Sequence, residues 1–294
     1  MLVTGAEGTV GRELVTMLMN AGVLVRAGTH QRESLLEDEG VGYERVLVDY
    51  DEPDSLLLAM DDVEVLYLVT PQVPRSVDFV RAAVSGARTR GVGRIVRQSV
   101  FDAEASDDAI SRWHRAAEEC IASSGLAYTV LRPNSFMQNF VTIYRRSIVE
   151  DGWFGMPLGA AALSSIDARD IAAAATAVLM DDEFADTAFT LTGPQALTGP
   201  EMADILSGVA GRPIRYRDAP EEGVRTPGSE GERAERAALR ELGLAMRAGR
   251  LATVTDDVER LTGRAPITFE QFARDYAWSF VRYPQERYGG NARG

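Results

Sequence analysis

Hydrophobic positions in the first 135 residues fall into short, nearly continuous runs, separated by longer stretches where they recur at helical spacing. The runs "LVTG" (2–5), "VLVRAGT" (23–29), "ERVLVDY" (44–50), "VEVLYLVT" (63–70), "RIVRQSV" (94–100) and "YTVLRP" (128–133) predict strands. Between them, "GRELVTMLMNAG", "PDSLLLAM", "SVDFVRAAVSGARTRG" and "AISRWHRAAEECIASSG" predict helices, several ending on glycine, as helices commonly do. Strands separated by helices imply right-handed crossovers and a parallel sheet. The strands are apolar on both faces, as expected where helices cover the sheet on either side. The fold class is α/β, a Rossmann-like doubly wound parallel sheet.

Beyond residue 135 the pattern loosens. It predicts a helix over 136–150, a turn around "DGWFGMPLG", helices at 168–181 and 199–210, and short strands at "AFTLTG" and "IRYRD". Helical segments at 232–249 and 269–283 follow. The Pro/Gly/Glu-rich stretch 219–232 has no periodicity and is either a surface connector or a lid over a binding edge. This divides the chain into a dinucleotide-binding part, 1–135, to which 160–195 return, and a mainly substrate-binding small α/β part, 136–294.

Charge narrows the classes of partner. The 294 residues carry 44 acids against 31 bases, a net charge of −13 that repels phosphate backbones and argues against nucleic-acid binding. The single cysteine, Cys120, excludes an internal disulfide and reads as a buried helix position. The longest apolar stretch, "IAAAATAVLM", is short of the ~20 residues of a membrane span. No charged-then-apolar leader opens the chain, so a cytoplasmic protein is expected. With only His30 and His114 present, a histidine-rich metal site is excluded, and no metal is expected.

The opening "MLVTGAEGTVGRELV" carries the first chemistry. A strand–GxxGxxG–helix unit presents backbone N–H groups and a helix N-terminus to an anion. Gly5 permits the tight turn, Gly8 lets a pyrophosphate approach, and Gly11 lets the helix pack against the sheet. Glu7, Thr9 and Val10 complete the cofactor-binding turn. The alternative, three structural turn glycines, does not account for the serial α/β pattern that follows. A site for NAD usually ends its second strand on Asp or Glu. Here the strand ends "VRAGTHQRES", with no acid before Glu33, and His30 and Arg32 stand in the acid's place with Arg26 further back. A 2′-phosphate suits such a site, so the expected cofactor is NADPH/NADP.

The blocks "LVTGAEGTVGRELV", "YTVLRPNSFMQNF", "SSIDARDIAAAA", "FTLTGPQALTGPEMADILSGVAGRPIRY" and "LTGRAPITFEQFARDYAWSF" together resemble the NmrA-like, atypical short-chain dehydrogenase/reductase family, from residue 1 to about 283. The resemblance implies NADP(H) and either a reductase or a non-catalytic cofactor sensor. It implies that Thr70 and Pro71 pass over the adenosine ribose and that Asp49 and Tyr50 lie near the adenine. It further implies that Ser99 occupies the place of the catalytic serine and that Pro133, Asn134 and Phe136 border the nicotinamide. The family's Tyr-x-x-x-Lys pair is missing. Glu118 fits the glutamate four residues beyond the lysine, which puts His114 at the lysine and Ile110 at the tyrosine. Isoleucine cannot donate a proton, yet family members with this loss still reduce quinones or ketones.

Two side chains are therefore candidate catalytic residues. Ser99 would hold a substrate oxygen, or else cap a strand end; His114 would donate a proton, touch the ribose, or be a surface residue beside Trp113. Phe136, Gln138, Asn139, Trp153 and Met156 are candidate substrate contacts, with "LRELGLAMRAG" as a further wall. This surface suits a flat, apolar aromatic small molecule. The expected activity is NADPH-dependent reduction of a polycyclic aromatic ketone, as in the tailoring of an angucyclinone-type polyketide antibiotic. The alternatives are a quinone reductase and an NADP(H)-sensing regulator acting through a protein partner.

Overall fold

The computed structural model describes residues 1–35, 42–218 and 230–281. Its strands are β1 (Leu2–Val3), β2 (Arg26–Thr29), β3 (Glu44–Leu47), β4 (Val65–Leu68), β5 (Arg94–Gln98), β6 (Ala127–Pro133), β7 (Trp153–Met156), β8 (Ala162–Leu163), β9 (Thr187–Leu191), β10 (Leu197–Thr198) and β11 (Arg215–Asp218). The helices are α1 (Thr9–Asn20), α2 (Pro53–Ala59), α3 (Ser76–Arg90), α4 (Ala109–Ala122), α5 (Asn139–Thr142), α6 (Arg145–Asp151), α7 (Ala168–Met180), α8 (Gly199–Ala210), α9 (Glu230–Arg247), α10 (Asp257–Thr262) and α11 (Phe269–Asp275).

Seven strands form a parallel sheet in the order β3-β2-β1-β4-β5-β6-β9, the doubly wound arrangement expected from the alternating pattern. Successive strand residues serve opposite faces, which explains runs that are apolar throughout. Val3, Tyr67, Val96 and Leu131 pack beneath α1, α7 and α10. Their neighbours Leu2, Leu66 and Ile95 pack against α2, α3 and α4. A separate core from the later part of the chain joins Phe140, Phe154, Met156, Phe269 and Phe272 with residues of α8.

Four expectations change. The helix expected over 136–150 breaks into α5 and α6, where Val141, Thr142 and Ile143 put three β-branched side chains in succession. The turn expected around "DGWFGMPLG" contains strand β7, paired in parallel with β11 from Trp153↔Arg215 to Met156↔Asp218. Phe154 and Met156 point into the second core there, a two-residue alternation too short to stand out beside the glycines. The helix expected over 269–283 stops at Asp275 and continues as one 3₁₀ turn, Ala277–Ser279. Cys120 lies on α4 as expected but is half-buried rather than buried. The candidate lid falls at 219–229 outside the described residues. No helix among the described residues is long and apolar enough to cross a membrane.

Helix α1 approaches β1 closely because Gly11 has no side chain. A Cβ there would lie 2.1 Å from the Gly5 carbonyl oxygen and 2.7 Å from Ala6 Cα. Backbone on both sides cannot retreat cheaply. Gly11→Ala should therefore lower unfolding free energy in urea by about 1–3 kcal/mol, the range for forced overpacking; an unchanged midpoint would mean that α1 can shift away.

Candidate active site

Two cavities open along the carboxyl edge of the sheet. The larger, about 1020 Å³, is lined by Gly5, Glu7, Gly8 and Arg12 of the first turn, by Thr29 and His30 after β2, and by Asp49, Tyr50, Thr70 and Pro71. Gly5 adopts φ +63°, a left-handed conformation that glycine takes without strain, and Gly8 caps α1 with no side-chain acceptor. The first turn of α1 contains no acid that would offset the positive end of the helix. A Cβ on Gly8 would crowd the Gly5 carbonyl at 3.1 Å, so the turn is kept narrow and free of side chains where a pyrophosphate would rest. The cleft thus fits a dinucleotide. Thr9 and Val10 are not in its wall; they open the helix, and Val10 is packed in the core.

Polar contacts fix the rim. Thr4 Oγ1 donates to the Val69 carbonyl at 3.0 Å and accepts from the Val69 N–H at 2.8 Å, tying β1 to the end of β4. The fully buried Arg97 donates to the Leu68 carbonyl at 3.0 Å and to Thr70 Oγ1 at 2.9 Å. Burial lowers its pKa to about 10, still above neutrality, so it remains a cation beneath the site.

The second cavity, about 340 Å³, is lined by Gln98, Ser99, Ile110, Pro133, Asn134, Ser135, Phe136, Asn139, Tyr144 and Met156, and by Leu239, Leu242 and Met246 of α9. Its size falls within the usual ~300–1,000 Å³ of small-molecule pockets. The segment Thr70–Pro71–Gln72 joins the two, lining the first with Thr70 and Pro71 and the second with Gln72.

Ser99 ends β5 in a buried network. Its hydroxyl donates a short hydrogen bond to Glu118 Oε1, and Glu118 also receives Arg132 Nη2 at 2.7 Å. Arg132 extends to Glu104 at 2.5 Å. His114 Nδ1 lies 3.4 Å from Ser99 Oγ. Since the one serine proton goes to Glu118, this long contact assigns the hydrogen to His114 Nδ1, with Ser99 Oγ accepting. Burial, reinforced by the nearby Arg97 charge, lowers the His114 pKa to about 3. The imidazole is therefore neutral at pH 7.

Ser99, Pro133, Asn134, Phe136, Asn139 and Met156 come together in the second cavity, and Gly5, Glu7, Gly8, His30, Asp49 and Thr70 in the first. His114 stands behind Ser99 and is not in a cavity wall. Gln138 is turned inward, donating to Asp167 at 2.9 Å and accepting from the Ala168 N–H at 2.9 Å at the start of α7. Trp153 lies under Arg217, 4.2 Å from guanidinium carbon to ring centre, away from the cavity. Arg32 is outside the cleft wall and bonds Glu52 at 2.5 Å. Arg26 is spent on Glu44 and the Ala59 and Asp61 carbonyls. The cations that do line the cleft, Arg12 and Arg45, went unnoticed, as did Tyr144. Arg45 alternates along β3 with apolar Val46 and could have been read as facing the strand's open side.

A glycine-turn cleft joined to a largely apolar cavity at the strand ends defines a dinucleotide-binding α/β protein with room for a second small molecule. The chain belongs to the NmrA-like family, which it matches over residues 1–236. It is similar to the NAD(P)H azoreductase of Xenophilus azovorans, 36% identical over 95% of this chain and 98% of that one. It is also similar to the (4-alkanoyl-5-oxo-2,5-dihydrofuran-3-yl)methyl phosphate reductase of Streptomyces griseus subsp. griseus, 33% identical over 95% of this chain and 99% of that one. Among solved structures, the Citrobacter sp. triphenylmethane reductase complexed with NADP(H) superimposes with a TM-score of 0.80 at 25% identity, covering 94% of this chain and 99% of that one.

The His114 environment has a consequence for stability. An unfolded chain protonates this residue near its ordinary value of 6.5, the folded one only near 3. The unfolded state therefore binds more protons across that window, and stability is lost as pH falls through it, by at most about 1.4 kcal/mol per pH unit. Denaturant titrations at pH 7 and pH 5 should show a smaller drop for His114→Asn than for the natural protein. Equal drops would mean that His114 is accessible to protons in the folded state.

Proposed function

We propose that the protein is an NADPH-dependent reductase of a flat, apolar, conjugated carbonyl compound, either a quinone or a polycyclic aromatic ketone. The observation that carries this reading is the placement of Ser99 in the wall of a largely apolar cavity that adjoins the dinucleotide cleft. The similar azoreductase and furanone phosphate reductase support the class of reaction. The first turn of α1 would hold the pyrophosphate, with Thr70 and Pro71 near the ribose and Pro133, Asn134 and Phe136 near the nicotinamide. NADPH, when bound, supplies the hydride.

The chain's own part is to position the acceptor and manage one proton. When an acceptor binds, the Ser99 hydroxyl turns its proton from Glu118 to the acceptor oxygen, Arg132 keeping the Glu118 charge paired, while Phe136, Met156, Leu239 and Leu242 exclude water from the acceptor's faces. Nothing beside Ser99 is a strong acid: Ile110 replaces the family's tyrosine, His114 is neutral, and Glu118 is a carboxylate paired with Arg132. A simple ketone becomes a strongly basic alkoxide on accepting hydride and needs a proton at once. A quinone instead leaves a delocalised phenolate that water protonates afterwards, whereas a polycyclic aromatic ketone reduced at its carbonyl leaves a localised alkoxide like that of a simple ketone. The lack of an acid in contact with Ser99 thus favours a quinone, and a ketone would need its proton from elsewhere in the cavity, where Tyr144 lines the wall.

Oxidation of NADPH, followed at its absorbance band, should proceed with a naphthoquinone, more slowly with a polycyclic aromatic ketone that fills the apolar cavity, and not with a small aliphatic ketone. Ser99→Ala should lower kcat about 100-fold, the effect of losing one hydrogen bond to a developing oxyanion. Tight NADPH binding with no acceptor consumed would instead favour an NADP(H)-sensing protein that acts through a protein partner.

A further inference from the structure

The end of β2, where a dinucleotide-binding protein usually keeps the acid for the adenosine ribose, is occupied by Thr29. A carboxylate is nonetheless present at that spot, brought from another element. Glu7, in the middle of the glycine turn, reaches across to β2, where Thr29 Oγ1 donates to Glu7 Oε2 at 2.8 Å. Thr29 Oγ1 in turn accepts from the Gln31 N–H at 3.0 Å, which orients its proton toward the glutamate. Glu7 and Thr29 both line the larger cleft. The pin uses one carboxylate oxygen and leaves the other to accept from a ligand.

The charges around this carboxylate point the same way. Glu33, Asp49 and Asp51 line the cleft with Glu7, against the guanidinium groups of Arg12 and Arg45. Arg32, three residues beyond the end of β2, is drawn off to Glu52. A 2′-phosphate brings a second negative group against Glu7, whereas a 2′-hydroxyl brings a donor that a carboxylate binds strongly.

Resting on the dinucleotide reading above, we infer that Glu7 determines the choice of cofactor. Its carboxylate, held by Thr29, accepts a hydrogen bond from the ribose 2′-hydroxyl of NADH and repels the 2′-phosphate of NADPH. The protein consequently binds both dinucleotides, with Arg12 and Arg45 of the cleft wall attracting the 2′-phosphate and Glu7 opposing it. Thr29 is a positioning residue: it acts through Glu7.

Calorimetric titration of the whole protein with NADH and NADPH, with no acceptor present, tests this independently of turnover. Glutamine keeps the length of Glu7 and can still accept from Thr29, so Glu7→Gln removes the charge and little else. NADH binding should weaken about tenfold, the low end for a hydrogen bond to a charged group. NADPH binding should tighten, so the ratio of the two dissociation constants moves at least that far toward NADPH. Thr29→Val should move it in the same direction by a smaller factor. Two results overturn the inference alone: a ratio unchanged in Glu7→Gln while both dinucleotides bind, or a natural protein that binds NADPH and ignores NADH. Failure of the natural protein to bind either would remove the inference together with the dinucleotide reading itself.

Discussion

Glu118 on α4 is a buried carboxylate that draws the end of β5 and the end of β6 to one point. Ser99 reaches it from β5, and Arg132 reaches it from β6 with a bond of 2.7 Å. An unpaired charge in that place would cost several kcal/mol, so removing Arg132 strands the Glu118 carboxylate, whereas Arg132 without Glu118 would still be paired with Glu104. The second cavity takes its position from this junction, since Ser99 and Pro133 both stand in its wall. The same network holds the Ser99 proton toward Glu118 and sets the His114 tautomer.

The sheet was legible in the sequence almost strand by strand. Parallel strands buried on both faces have to be nearly continuous apolar runs rich in β-branched and aromatic residues, as in "VEVLYLVT". Helix α8 was legible for a different reason: Thr198 and Glu201 form a capping box, and Gly211 ends the helix at φ +64°. What escaped was short and tertiary in origin. Strand β7 exists because β11 pairs with it and a second core accepts Phe154, and α10 holds six residues whose Val258 and Leu261 fit against the first core. Segments of that length carry too few periods to announce themselves.

The candidate site divides along the same line. Glycine spacing is a local property, and Gly5, Gly8 and Gly11 could be read directly. The direction in which a side chain turns is not local. Gln138 lies in an aromatic-rich segment and looks like a substrate contact, yet its amide is committed to the start of α7. Arg32 sits beside the cleft in sequence, but a nearby Glu52 holds it at the surface. Glu7 shows the converse: a residue between two glycines contributes at the end of another strand, because the turn brings the two within hydrogen-bond reach.

The division of labour between sheet and α9 has an evolutionary consequence. Residues that face the dinucleotide come from strand ends and the first turn, while Leu239, Leu242 and Met246 of the second cavity come from one late helix. That helix is moored from outside the sheet, by Glu241 to the start of α4 and by Arg247 to Asp218. Its inward side chains touch the second core but make no bond to Ser99, Glu118 or Arg132, so exchanging them reshapes the cavity without altering the Ser99 junction. A scaffold built this way can diversify the molecules it accepts one helix face at a time, while its chemistry stays constant.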